Sequence, residues 1–162
     1  EIELGGKKYE VLFNLNAIDE IQDRFDIPIS KLGQLMSDER KVFKALKTLL
    51  AILINEAIDD GETGEAHVDE KFIGRKIKVS DIPKLKSTVF VAFANGMPEV
   101  ERVTDEKFPV ARCIYIGKTV LGYAEKEVWR MTLRKLMLLF TEHQKYTGTY
   151  KEPETLDSAI PL

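Results

Sequence analysis

The sequence predicts a mainly α protein (α+β) in which a small N-terminal β-hairpin packs on a multi-helix bundle. Three observations predict it. Long stretches place apolar residues at helical spacing between recognisable start and stop residues. The clearest alternation of apolar and charged residues is confined to the first dozen positions, around Gly5-Gly6. Hydrophobic residues make up 44% of 162 positions and charged residues 31%, enough for a core under a well-solvated surface.

In the hairpin, Ile2 and Leu4 alternate with acids and Gly5-Gly6 supplies a turn that tolerates positive φ. Tyr9 to Phe13 then resumes with β-formers. Two strands alone are marginal, so the pair must lie on something helical. Asn14 or Asn16 caps a first helix whose stripe is Leu15, Ile18, Ile21 and Phe25. Asp19, Glu20, Asp23 and Arg24 form its solvated side, and Pro28 ends the helical region. Ser30 opens a short helix carrying Leu32, Leu35 and Met36. Ser37, with Asp38 and Glu39 behind it, opens a long helix with Val42, Leu46, Leu49, Leu50, Leu53 and Ala57 on one face. Phe43, Ile54 and Ile58 widen that face, which makes this the expected central helix.

Residues 59–70 break the pattern with six acids and two glycines, an acidic loop whose spacing does not fit a calcium loop. Val68, Phe72, Ile73 and Ile77 then mark a short amphipathic helix beside the basic residues Lys71, Arg75, Lys76 and Lys78. Ser80-Asp81-Ile82-Pro83 starts another helix. Residues 85–93 are β-branched and aromatic enough for a strand, but they follow a cap and run into Asn95-Gly96, which favours a helix. Pro109 begins a helix through Leu121, with Val110, Cys113, Ile114, Gly117, Val120 and Leu121 inward and Gly122 as its stop. A short turn of helix, 124–130, precedes the last one, capped by Thr132 and stopped by Gly148. Leu133, Leu136, Met137, Phe140 and Gln144 share one face there, and Leu138 and Leu139 widen it almost all round. Such a helix is either buried in the core or half-buried with a partner on its other side. The organisation that follows is 1–96 as hairpin plus helical core, 97–107 as linker, 108–150 as a C-terminal helical segment on or next to the core, and 151–162 as an irregular tail.

The residues carry no catalytic, cofactor or metal pattern. His67 and His143 are isolated, and no Cys or carboxylate stands at ligand spacing from either. Gly117-Lys118-Thr119 resembles the end of a phosphate loop, but the required upstream glycine is Arg112. Cys113 is the single cysteine, so no internal disulfide forms. A net charge of −3 argues against sequence-independent nucleic-acid binding. No signal peptide is visible, and the longest apolar run, Leu49–Ile54, falls short of the roughly 20 residues that span a bilayer. The expectation is a soluble intracellular protein, with no nucleic acid and no membrane among its partners.

Two segments together resemble the tail assembly chaperones of long-tailed bacteriophages and prophages. One is Leu4-Gly5-Gly6-Lys7-Lys8-Tyr9-Glu10-Val11-Leu12-Phe13-Asn14-Leu15-Asn16-Ala17-Ile18, which looks like the family's opening strand pair running into a helix at an Asn-Ala. The other is Leu121-Gly122-Tyr123-Ala124-Glu125-Lys126-Glu127-Val128-Trp129-Arg130-Met131-Thr132-Leu133-Arg134-Lys135-Leu136, which looks like its C-terminal glycine turn, acidic pair, aromatic and Met-Thr before a helix. The resemblance implies a non-enzymatic protein of the host cytoplasm that binds the tape-measure protein and tail-tube subunits and leaves before the virion is complete. A chaperone for a helical client needs exposed apolar surface shielded by charge. Trp129, Met131, Arg134, Lys135, Met137 and Phe140 are the candidate client-binding residues, and self-association fits such a surface as well. The competing readings are a structural tail or connector component retained in the virion and a helical interaction domain of unrelated role.

Overall fold

A computed structural model describes residues 1–99 and 105–151. The chain opens with strands β1 (Ile2–Leu4) and β2 (Lys7–Tyr9), paired antiparallel with Ile2 opposite Tyr9 and Leu4 opposite Lys7. Gly5 and Gly6 both have positive φ, +59° and +84°, which is the two-residue turn whose twist matches a hairpin. That turn sets the register and leaves β1 nothing to offer beyond Tyr9. The expected second strand at Tyr9 to Phe13 is therefore displaced to Lys7–Tyr9. Residues 10–14 leave the sheet and cross the bundle, and the Leu12 amide donates to the Leu53 carbonyl at 3.0 Å.

Helix α1 (Leu15–Phe25) begins at Asn14, whose side chain accepts from the Ala17 amide, so the cap is Asn14 and not Asn16. A 3-10 turn, Ile29–Lys31, leads into α2 (Leu32–Ser37). Two expected starts move. Ser30 lies inside the 3-10 turn instead of opening a helix. Ser37 ends α2 and turns its hydroxyl back to the Gly33 carbonyl at 2.8 Å, so α3 (Val42–Asp60) begins five residues later. The Asp38 carbonyl accepts from the Lys41 and Val42 amides and makes the turn between the two helices.

As expected, α3 is the centre of the fold. It packs on α1, α2, α4 (Glu70–Lys76) and α5 (Ile82–Gly96), and Leu46, Leu49, Leu50, Leu53 and Ile54 are fully buried. Asp69 caps α4 by accepting from the Phe72 amide. A 3-10 turn, Val79–Asp81, precedes α5, which settles residues 85–93 as helix: Leu85, Val89, Ala92 and Gly96 form its buried stripe. Gly96 does not act as a left-handed stop. It is the last helical residue, at a place where a Cβ would overlap the Phe13 carbonyl oxygen.

The expected linker is tied down on both sides of residues 100–104, which lie outside the described set. Met97 is buried, Lys107 pairs with Asp26 at 2.7 Å, and Gln22 of α1 accepts from the Phe108 amide and donates to its carbonyl. Of the expected tail, 152–162 also lies outside the described residues. Helix α6 (Val110–Tyr115) continues into a π turn, Ile116–Val120, where the Leu121 amide reaches the Ile116 carbonyl. Val120 consequently faces outward, not inward as expected. Gly117 in that turn lets the Val128 side chain of α7 (Glu125–Arg130) seat against bare backbone. Gly122 stops the segment at φ +77°, as expected. Helix α8 (Leu133–Thr147) is capped by Thr132 and stopped by Gly148 at φ +71°, also as expected. It packs on α5 and the π turn, at the edge of the bundle that α3 organises.

One buried polar group joins α1 to α3. The amide of Asn14 donates to Glu56 Oε2 at 2.8 Å, so one side chain caps α1 and satisfies a carboxylate that is 9% exposed. Burial raises the Glu56 pKa above its ordinary 4.5, and the hydrogen bonds from Asn14 and Asn16 oppose that only in part. The folded protein therefore binds this proton more tightly than the unfolded chain. Glu56 favours folding fully below about pH 4.5 and progressively less as pH rises through the folded-state value. Glu56→Gln keeps an acceptor for Asn14 and removes the charge. Its stability should match the parent near pH 4 and exceed it at pH 7, measured by urea unfolding at both; a larger gap at the acid end would contradict the burial argument.

Candidate docking surfaces

The six residues singled out from the sequence do not form one outward face. Met131 is 5% exposed and Phe140 is 8% exposed, so both belong to the interior. The Met131 carbonyl accepts from the Leu15 amide at 3.0 Å, which binds the start of α1 to the turn between α7 and α8. Trp129 and Met137 are half-buried against the core. Arg134 is turned onto the C-terminus of α5 and donates to the carbonyls of Ala94 at 2.8 Å and Asn95 at 3.2 Å. Those carbonyls carry the negative end of the helix dipole, so a guanidinium there stabilises α5. Of the six, Lys135 alone is fully outward, and beside it Leu138 is 63% exposed.

Charge reversal at Arg134 and at Lys135 should therefore part company. Arg134→Glu loses two charge-assisted bonds and should cost about 1.5–3 kcal/mol. Lys135→Glu should stay within about 0.5 kcal/mol of the parent. Thermal melts of the two single variants read the difference, and equal melts would remove Arg134 from its structural role.

A larger apolar surface lies on the other side of α5. Leu85, Val89 and Ala92 point inward, so the 100° helical step turns Phe90 and Val91 out. Together with Val79 in the preceding 3-10 turn they are 41%, 55% and 75% exposed. They border an open groove of about 890 Å³ between α5 and the α2–α3 corner, with Met36, Val42, Ile82 and Pro83 also lining it. Asp81 holds the 3-10 turn in place by accepting from the Lys78 amide at 2.8 Å. The signal was present in the sequence as Val89-Phe90-Val91: three consecutive large apolar residues cannot all face inward from one helix.

A second surface, between α1, the end of α3 and α7, is polar. Asn16, Glu56, Asp59, Glu125, Trp129 and Arg130 surround a shallow cleft. Arg130 and Lys126 reach Glu62 at 3.0 and 3.7 Å and pin the acidic loop to α7. Lys118 beside Glu125 holds that carboxyl below its usual range. Among the described residues no group of His, Cys, Asp or Glu is arranged to hold a metal ion. Burial pushes the Cys113 thiol up to about 11, so it stays protonated and unreactive at neutral pH. No helix among the described residues is long and apolar enough to cross a membrane. No protein-family model, no curated protein and no solved structure matches the chain.

Proposed function

We propose that this chain is a non-enzymatic tail assembly chaperone of a long-tailed phage or prophage, acting in the host cytoplasm on the tape-measure protein and on tail-tube subunits. The reading starts from the two segments that resemble that family. The observation that supports it most is that these segments, more than a hundred residues apart, are in contact: the Leu15 amide bonds the Met131 carbonyl, and α1 packs on α7. A local likeness in two places thus belongs to one structural unit. The apolar groove beside α5, set in a charged helical surface, is the kind of feature through which a helical client could be kept soluble.

Co-expression with the tape-measure protein encoded nearby, followed by affinity capture and light scattering, tests the proposal. A soluble stoichiometric complex is the expected result. A client that stays insoluble, together with detection of this chain in purified virions by mass spectrometry, would replace the chaperone with a connector or tail-completion component.

A further inference from the structure

We propose that the outer face of the α3–α4 pair is a docking surface for a short acidic segment of a partner protein. The assignment does not rest on the chaperone reading above.

The surface follows from where the bases fall. Residues 40–47 and 71–78 each hold four basic residues and no acidic one, in a chain whose net charge is −3. Lys44 and Lys47 share a side of α3, and Arg40 and Lys41 precede it. Lys71 and Arg75 share a side of α4, with Lys76 and Lys78 at its end. The two helices pack together, and their basic sides meet where Lys47 lies over Gly74, one turn from Lys71. A Cβ at Gly74 would sit 2.8 Å from Lys47 Cδ, so the bare backbone is what makes room for that stem. The Lys47 ammonium then lies 5.4 Å from the centre of the Phe43 ring, and that of Lys76 lies 5.8 Å from the centre of Phe72. Among the described residues, Lys44, Lys47, Lys71, Arg75, Lys76 and Lys78 have no acidic side chain at ion-pair distance. Like charges gathered in this way repel one another, and an acidic partner relieves the repulsion.

Acids at both ends set the length of the segment. The helices run antiparallel, because Asn55 of α3 holds the Val68 backbone just before α4 while the earlier Lys47 crosses the later Gly74. Asp38 and Glu39, ahead of the α3 bases, and Asp69 and Glu70, ahead of the α4 bases, therefore lie at opposite ends of the cationic face. Asp38, Asp69 and Glu70 are engaged by Lys41, by the Phe72 amide and by Arg24, so they leave the bases between them uncompensated. From Lys41 to Lys47 the chain rises roughly 9 Å. A short cluster of carboxylates fits that length. A long polyanion such as a nucleic acid would run on over acids at either end. Phe43 and Phe72 are half-buried with a lysine ammonium over each ring, so they offer no platform for bases.

The test uses the intact chain at about 0.05 M salt and two labelled peptides of about three helical turns, identical except for a cluster of glutamates in one and of lysines in the other. Fluorescence anisotropy should show the glutamate peptide binding at least about tenfold tighter, and that binding should be lost at about 0.5 M salt, where exposed charges are screened. Lys71→Glu combined with Arg75→Glu should weaken it by about tenfold or more. Both side chains are exposed, and a thermal melt reports that the variant is folded. Lys84→Glu combined with Lys135→Glu changes the net charge equally at exposed bases elsewhere, and should leave the affinity within about twofold. Gly74→Ala should keep or raise the melting temperature, since alanine is the better helix former, yet weaken the peptide about threefold by displacing Lys47. No binding, equal binding of the two peptides, an equal loss in the Lys84–Lys135 double variant, or parental affinity in Gly74→Ala would overturn the proposal. So would tighter binding of an oligonucleotide or of phosphatidylserine vesicles that the Lys71–Arg75 double variant abolishes, which would give the face to a different polyanion. A self-association abolished by the same variant would overturn it in favour of a second copy. If the parent binds the glutamate peptide as described yet leaves the tape-measure protein insoluble, this surface stands and the chaperone reading fails.

Discussion

Phe13→Ala should cost about 3–5 kcal/mol of folding stability, the range for removing a fully buried aromatic side chain. Phe13 is buried where the chain leaves the hairpin and enters α1. Its ring meets Phe93 of α5 edge-on, with centroids 5.2 Å apart at 81°. The preceding amide is bonded to Leu53 of α3, and the following residue caps α1. One side chain therefore closes the space between α5, α3 and α1, and the flanking backbone bonds prevent the segment from collapsing into the cavity left behind. Against a total stability of about 5–15 kcal/mol, the loss is a large fraction, and the melting temperature should fall by on the order of 10 °C. Urea unfolding should show the midpoint moving with the slope unchanged. A loss below about 1 kcal/mol at constant slope would mean that residues 10–14 are not packed as described.

Gly96→Ala should also destabilise, by about 1–3 kcal/mol, although local rules point the other way. In a helix interior, replacing Gly by Ala gains roughly 1 kcal/mol of propensity. Gly96 has ordinary helical geometry, so nothing in its own backbone forbids alanine. The obstacle is across the packing: a methyl there would land on the Phe13 carbonyl oxygen, which is backbone and cannot swing aside. Gly33 in α2 is the matched control, since a Cβ there would find only ordinary contact, 4.0 Å from the Phe90 ring. Gly33→Ala should gain up to about 1 kcal/mol while Gly96→Ala loses stability. Unfolding curves of the two variants give the signs, and a stabilised Gly96→Ala would move the Phe13 backbone away from α5.

These two residues also mark how far a one-dimensional reading reaches. Thr132 and Gly148 bound α8, and Asn14 starts α1, because a cap needs only its own side chain and the next two or three amides. The buried stripe of α3 follows from repeated leucines at one angular position. Ser37 misled because its hydroxyl can either accept from the first amides of a following helix or donate to a carbonyl of its own, and here it donates to the Gly33 carbonyl of α2. The π turn at 116–120 was invisible, since its widened backbone bonds answer to Val128 seated over Gly117.

The candidate surface divides in the same way. The apolar excess of α8 and of Val89-Phe90-Val91 was legible as composition at helical spacing. Which part of that excess remains outside was not, because exposure depends on what another element brings to the same place. Met131 and Phe140 went inside, and Arg134 was taken up by the carbonyl end of α5. Phe90 and Val91 stayed out because α3 and α8 already occupied the other sides of α5. By itself, then, the sequence determined which segments are helical, several of their ends, among them Thr132, Gly122 and Gly148, and the hairpin turn, all set by interactions within a few residues. The tertiary structure alone decided that Gly96 is needed for a carbonyl it never neighbours in sequence, and that the open apolar face belongs to α5, since packing is a competition for space among elements that are distant along the chain.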